Sequence, residues 1–74
     1  MTPQEIFDYK TSWLKKCTNI VSVHDDLEFE AKRWCRTNLK QHQWNFYKFT
    51  DIYEHSFYFE TAEMKKEFER FMQP

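Results

Sequence analysis

The sequence predicts a small α+β domain of order α-β-α-β-β-α, with a three-stranded antiparallel sheet carrying two helices on one face. Three observations lead there. Aromatic residues make up 20% of the 74 positions, and many crowd into Gln43–Glu60. Large apolar side chains alternate with polar ones along that run, the period of two that strands require. Three other segments repeat apolar residues at helical spacing. Asn19–His24, between the first two of these, is short and β-branched, which suits a strand. One domain, residues 1–74, accounts for the whole sequence.

The first helix is predicted over about 3–16. Thr2 caps it, Pro3 suits its first position, and Glu5 completes a capping box. Phe7, Trp13, Leu14 and Cys17 then recur on one side, with Ile6 close by. A strand follows at Asn19–His24. Asp25 and Glu28 form a second capping-box pattern, opening a helix over about 26–40. Its stripe is Leu27, Ala31, Trp34, Cys35 and Leu39, and Phe29 points away from it.

The aromatic run reads as a hairpin, with strands at about 43–49 and 54–60. A four-residue connection, Thr50–Tyr53, sets Trp44 opposite Phe59, Phe46 opposite Phe57 and Lys48 opposite His55. That register gathers four large rings on one face, and a one-residue slip scatters them. Without glycine a two-residue primed turn is disfavoured, whereas a longer type I connection needs no positive φ. Thr61 caps the last helix, whose stripe is Met64, Phe68, Phe71 and Met72.

The strand-helix-strand connection is expected to be right-handed, and with the third strand inserted between the first and second the result is a split βαβ unit, like a ferredoxin fold lacking its last strand. The bulk of Phe57-Tyr58-Phe59 on both faces agrees with a central strand. Val21, Val23, Leu27, Trp34, Phe68 and Phe71 are expected in the core beneath the last two helices. The first helix is free to cover the second sheet face or to pack against one edge.

So short a chain draws little net stability from one core. Aromatic mass compensates, since each buried ring removes on the order of 150–250 Å² from water. A homodimer is a second route to buried surface and stays open.

Lys and Arg number 11 against 12 Asp and Glu, for a net charge of −1. That balance excludes a strongly phosphate-driven nucleic-acid binder or a membrane-surface protein. Local basic residues, Lys15-Lys16, Lys32-Arg33, Arg36 and Lys40, read as the solvated sides of two helices. No run resembles a secretory signal or approaches the roughly 20 apolar residues of a membrane span. Cys17 and Cys35 fall on helical stripes and read as reduced thiols, so the expected compartment is cytoplasmic.

Catalytic patterns are missing. His24, His42, His55, Cys17 and Cys35 share no ligand spacing, so neither a metal nor a cofactor is expected. Cys35 sits on a buried stripe, where a thiolate is poorly solvated. The absence of glycine removes phosphate-cradling loops and nucleophile elbows. Asp25-Asp26 is explained by capping and the helix dipole. A non-enzymatic role follows.

Two binding readings remain. In the first, the edge of the opening strand at Ile20 and Val21 accepts a partner chain, with Phe29, Tyr47, Phe49 and Tyr58 as anchors. Its bland counterpart is scattered surface aromatics, which small aromatic-rich proteins cannot fully bury. In the second, Tyr47, Phe49 and Tyr58 stack single-stranded nucleic acid on an open sheet face. Glu54 and Glu60 share that face and oppose phosphates, so nucleic acid is the alternative.

From Trp44 through Glu60 the chain reads W-x-F-x-x-F-T-D-x-Y-x-H-x-F-x-F-E. With the short, glycine-free, aromatic-rich texture of the whole, this resembles small uncharacterised accessory proteins of tailed bacteriophages. Such proteins, where understood, often bind and redirect a host protein. The resemblance therefore implies a modulator of a host factor acting in the host cytoplasm, and it carries over no individual residue.

Overall fold

The computed structural model describes residues 1–48 and 53–73. Helix α1 spans Pro3–Leu14, strand β1 Ile20–His24, helix α2 Glu28–Asn38, strand β2 Trp44–Lys48, strand β3 Glu54–Phe59 and helix α3 Ala62–Met72. The sheet is antiparallel in the order β1-β3-β2. Both the α+β class and the central placement of the third strand match the expectation from sequence.

The hairpin register also matches. Trp44 lies opposite Phe59, Phe46 opposite Phe57 and Lys48 opposite His55. The reason is burial: this pairing sends Phe57, Phe59 and His55 to the face covered by α2 and α3, where all three are buried. The connection expected at Thr50–Tyr53 falls, for 50–52, outside the described residues, as does Phe49. Among the described residues no φ is positive, in keeping with a sequence that has no glycine.

The core is built around Phe68. Its ring centroid lies 4.9 Å from Phe59, 5.3 Å from Phe57 and 5.5 Å from Trp34. Val23, Ala31 and Cys35 complete the buried set, with Val21, Leu39, Trp44, Phe46, Met64 and Met72 packed around it. Aromatic contacts at these separations add to simple area burial. Two expected core members sit at the rim instead. Leu27 is 39% exposed because it belongs to a 3-10 turn, Asp25–Leu27, that breaks the helical phase of the stripe. Phe71 is 48% exposed and stacks on Trp34 at 6.0 Å, beyond the reach of the sheet.

Local signals set the ends of the helices. Thr2 Oγ1 accepts from the Glu5 amide and Glu5 Oε1 from the Thr2 amide, the reciprocal capping box read from sequence. Thr61 Oγ1 accepts from the Met64 amide and starts α3. The second capping box does not form. His24 Nδ1 accepts the Asp26 amide at 3.2 Å, the 3-10 turn intervenes, and α2 begins at Glu28 without a side-chain cap. The Asp25 carboxylate is used elsewhere.

Helix α1 covers one end of the second sheet face. Tyr9 Oη donates to the Glu60 carboxylate, and Lys10 Nζ reaches Asn45 Oδ1 at 3.5 Å. Trp13 Nε1 donates to the His42 carbonyl at 3.1 Å. No residue of α1 is fully buried, and Phe7, expected on its apolar stripe, is 65% exposed. No helix among the described residues is long and apolar enough to cross a membrane.

Candidate functional site

Antiparallel ladders direct the backbone groups of alternate residues to opposite sides of a strand. The Phe59 amide donates to the Asn19 carbonyl, and the Asp25 amide donates to the Tyr53 carbonyl. Odd-numbered positions of β1 therefore bond to β3. Ile20, Ser22 and His24 turn their amide N–H groups outward, and Ile20 and Ser22 their carbonyls also. No strand pairs with this side of β1 among the described residues. The edge contains no Lys, Arg, Asp, Glu or Pro, the residues that ordinarily block strand addition.

The other sheet edge has different chemistry. The Glu60 amide donates to the Gln43 carbonyl, so Trp44, Phe46 and Lys48 present their backbone groups outward from β2. Lys48 ends this edge and Lys32 sits 3.9 Å from the Phe46 ring centroid. Cations guard β2, whereas the residues of β1 itself include no Lys or Arg.

The site residues expected from sequence divide among separate surfaces. Ile20 and Tyr58 are direct cross-strand partners on the second sheet face, and Tyr47 shares that face beside Ser56. Ile20 is 42% and Tyr47 53% exposed, whereas Tyr58 is half-buried. Val21 pairs with Phe57 and packs its side chain on the core, contributing to the edge only by position. Phe29 is 74% exposed on α2, remote from that face. Phe49 lies outside the described residues. The structure thus keeps Ile20 on the β1 edge strand with Tyr58 beside it on β3, places Tyr47 on β2 at the opposite edge, and separates Phe29 from all three.

Sequence reasoning missed one polar cluster. His55 is 1% exposed, and its Nε2 lies 2.7 Å from Asp25 Oδ1 and 3.8 Å from Glu28 Oε2. An ionised carboxylate only accepts, so Nε2 carries the proton and donates. Nδ1 is buried with no hydrogen-bond partner. The ligand-type atoms of Asp25, Glu28 and His55 lie within 4.8 Å of one another. Their charge is already balanced: Lys32 Nζ holds Glu28 at 3.0 Å, and Lys48 acts on both carboxylates. A cation would have to displace these ammonium groups and the His55 proton. The arrangement is a structural clasp between the 3-10 turn and β3.

The clasp gives acid stability a defined sign. The His55 hydrogen bond holds the Asp25 carboxyl below its ordinary value, with smaller help from charges at Lys48 and His24. Its contribution is present above the unfolded carboxyl pKa of about 3.9 and is lost as pH falls through the lower folded value. Asp25→Asn should therefore flatten the acid limb of stability below about pH 4. Urea midpoints measured against pH would show it, and parallel profiles for the variant and parent would contradict it.

Both thiols are free, and burial pushes Cys35 up to about 12. The Cys17 Sγ donates to the Phe59 carbonyl at 3.3 Å. Melting temperature should accordingly be indifferent to reductant and to chelator. A fall of more than a few degrees with either reagent would overturn that expectation. No family model, curated protein or solved structure matches this chain.

Proposed function

We propose that the protein is a non-enzymatic interaction module that adds an extended segment of a partner protein to the outer edge of β1. The observation that supports this is the uncharged edge itself, with the amides of Ile20, Ser22 and His24 directed outward. Ile20, exposed on the second face of this edge strand and backed by Tyr58 of β3, supplies apolar area for a side chain of the added strand, whereas Tyr47 lies on β2 at the other edge. The phage-like texture of Trp44–Glu60 makes a host protein the first partner to seek, in the host cytoplasm.

Ser22→Pro provides the test. The Ser22 amide faces away from β3, so proline there removes an outward donor while leaving the β1–β3 ladder intact. Pull-down from a host lysate, with and without nuclease, should yield a stoichiometric, nuclease-resistant partner. Ser22→Pro should weaken that complex by about tenfold or more with little change in melting temperature. A partner that binds the folded Ser22→Pro variant unchanged would refute edge addition. Recovery of nucleic acid alone, lost in Tyr47→Ala or Tyr58→Ala, would favour the single-strand reading. Self-association abolished by a charge at Ile20, which is 42% exposed on the edge strand, with the fold retained, would identify a homo-oligomer.

A further inference from the structure

On the β2 side of the molecule, α2 presents Glu28, Lys32 and Arg36 at successive i, i+4 positions, one row along the helix. Glu28 neutralises Lys32 at 3.0 Å, and Lys32 covers Phe46. Arg36, one turn further, has no such partner among the described residues. It lines a groove of about 450 Å³ together with Gln41, Trp44, Asn45 and Phe46, closed on the far side by Lys10 of α1. That volume falls in the range of small-molecule sites, roughly 300–1,000 Å³.

The groove's charge is one-sided. The chain carries 12 acidic residues against 11 basic ones, yet among the described residues no carboxylate lines this surface. Among the described residues neither Lys10 nor Arg36 makes a salt bridge. Lys10 Nζ has only a long contact to Asn45 Oδ1, 3.5 Å, and burial lowers the pKa of its ammonium. A partly desolvated ammonium without a counter-ion is costly, and an anion placed beside it recovers that cost. Arg36 supplies the planar fork that matches carboxylate and phosphate oxygens.

The floor is aromatic. Trp44 stacks on Phe57 with 6.3 Å between centroids and planes 14° apart, so packing fixes its ring. Trp44 is half-buried, and Lys10 Nζ stands 6.0 Å from its centroid. The side-chain amides of Gln41 and Asn45 offer donors and acceptors at the rim. A fixed indole beside two uncompensated cations suits a ligand that is flat at one end and anionic at the other.

We propose that this groove binds a phosphate or carboxylate carried on a planar ring, with Lys10 and Arg36 pairing the anion and Trp44 stacking the ring. The site lies at the opposite edge of the sheet from β1 and is independent of strand addition there.

Titration of the ¹⁵N-labelled protein with adenosine monophosphate at low salt tests the proposal. Shifts should concentrate at the Trp44 indole and the Gln41 and Asn45 side-chain amides. Adenosine, which lacks the anion, and inorganic phosphate, which lacks the ring, should each bind about tenfold more weakly or worse. Indole-3-acetate binding more tightly than adenosine monophosphate would identify a carboxylate as the preferred anion of the same site. Lys10→Gln and Arg36→Gln should each weaken binding by about tenfold or more. Arg36 is exposed and its replacement keeps the fold, so this variant decides the matter if Lys10→Gln loosens α1. Adenosine binding as tightly as its monophosphate would overturn the proposal, as would undiminished affinity in folded Arg36→Gln. Shifts confined to Tyr47 and Tyr58 would overturn it as well.

Discussion

Replacing Phe57 with alanine is expected to unfold the domain at ambient temperature. Phe57 is fully buried on the central strand, flanked by Val21 on one side and Phe46 on the other. Its ring contacts Phe46 at 5.2 Å, Phe68 at 5.3 Å and Trp44 at 6.3 Å. Truncation removes the transfer energy of the ring and leaves a cavity that a sheet hydrogen-bonded on both sides cannot collapse around. Such changes cost about 3–5 kcal/mol. A domain of this size has a total stability of only about 5 kcal/mol. Circular dichroism and amide dispersion should show a largely unfolded chain. A cooperative melt within a few degrees of the parent would mean that Phe57 is not central to the core.

His55→Ala is expected to have the next largest effect, about 2–4 kcal/mol, through lost packing against Phe46 and loss of the donor to Asp25. His55→Leu should behave differently. Leucine keeps most of the volume and abolishes the unpartnered Nδ1, while Asp25, 45% exposed in its side chain, is solvated by water. A volume-conserving replacement of this kind costs less than about 1.5 kcal/mol. Chemical denaturation of both variants separates the contributions. Equal losses in the two would show that the hydrogen bond to Asp25, and not packing, holds β3 to the 3-10 turn.

The fold was legible because aromatic alternation and burial allow one hairpin register. Trp44, Phe46, Phe57 and Phe59 share a face in the register that sets Trp44 opposite Phe59, and a one-residue slip separates them. The central place of β3 followed from Tyr58 and its neighbours being bulky on both faces. Helix ends were legible where a cap had one local reading, as at Thr2 and Thr61. They were not at Asp25, since Asp-x-x-Glu is the pattern of a capping box whether or not a distant histidine takes the carboxylate. His55 lies 30 residues from Asp25, and no local spacing reports that contact. Lys10 and Arg36 likewise come from different helices, so their shared groove has no linear signature. Leu27 and Phe71 continue apolar stripes correctly, but a stripe does not say where the opposing surface ends.

Helix α1 is fastened by a few polar contacts at its sides, with no fully buried residue to anchor it. Amide protection in a protein follows local opening, and segments with few buried contacts open without global unfolding. The α1 amides are therefore expected to exchange faster than those of the Phe68-centred core, through local opening of this helix from the sheet. Lys10 travels with it, so one wall of the Arg36–Trp44 groove exists only while α1 is docked. Any anion held there binds the docked form alone and shifts the opening equilibrium by mass action. The helix and the ligand thereby become mutual latches: each lengthens the other's residence on the sheet.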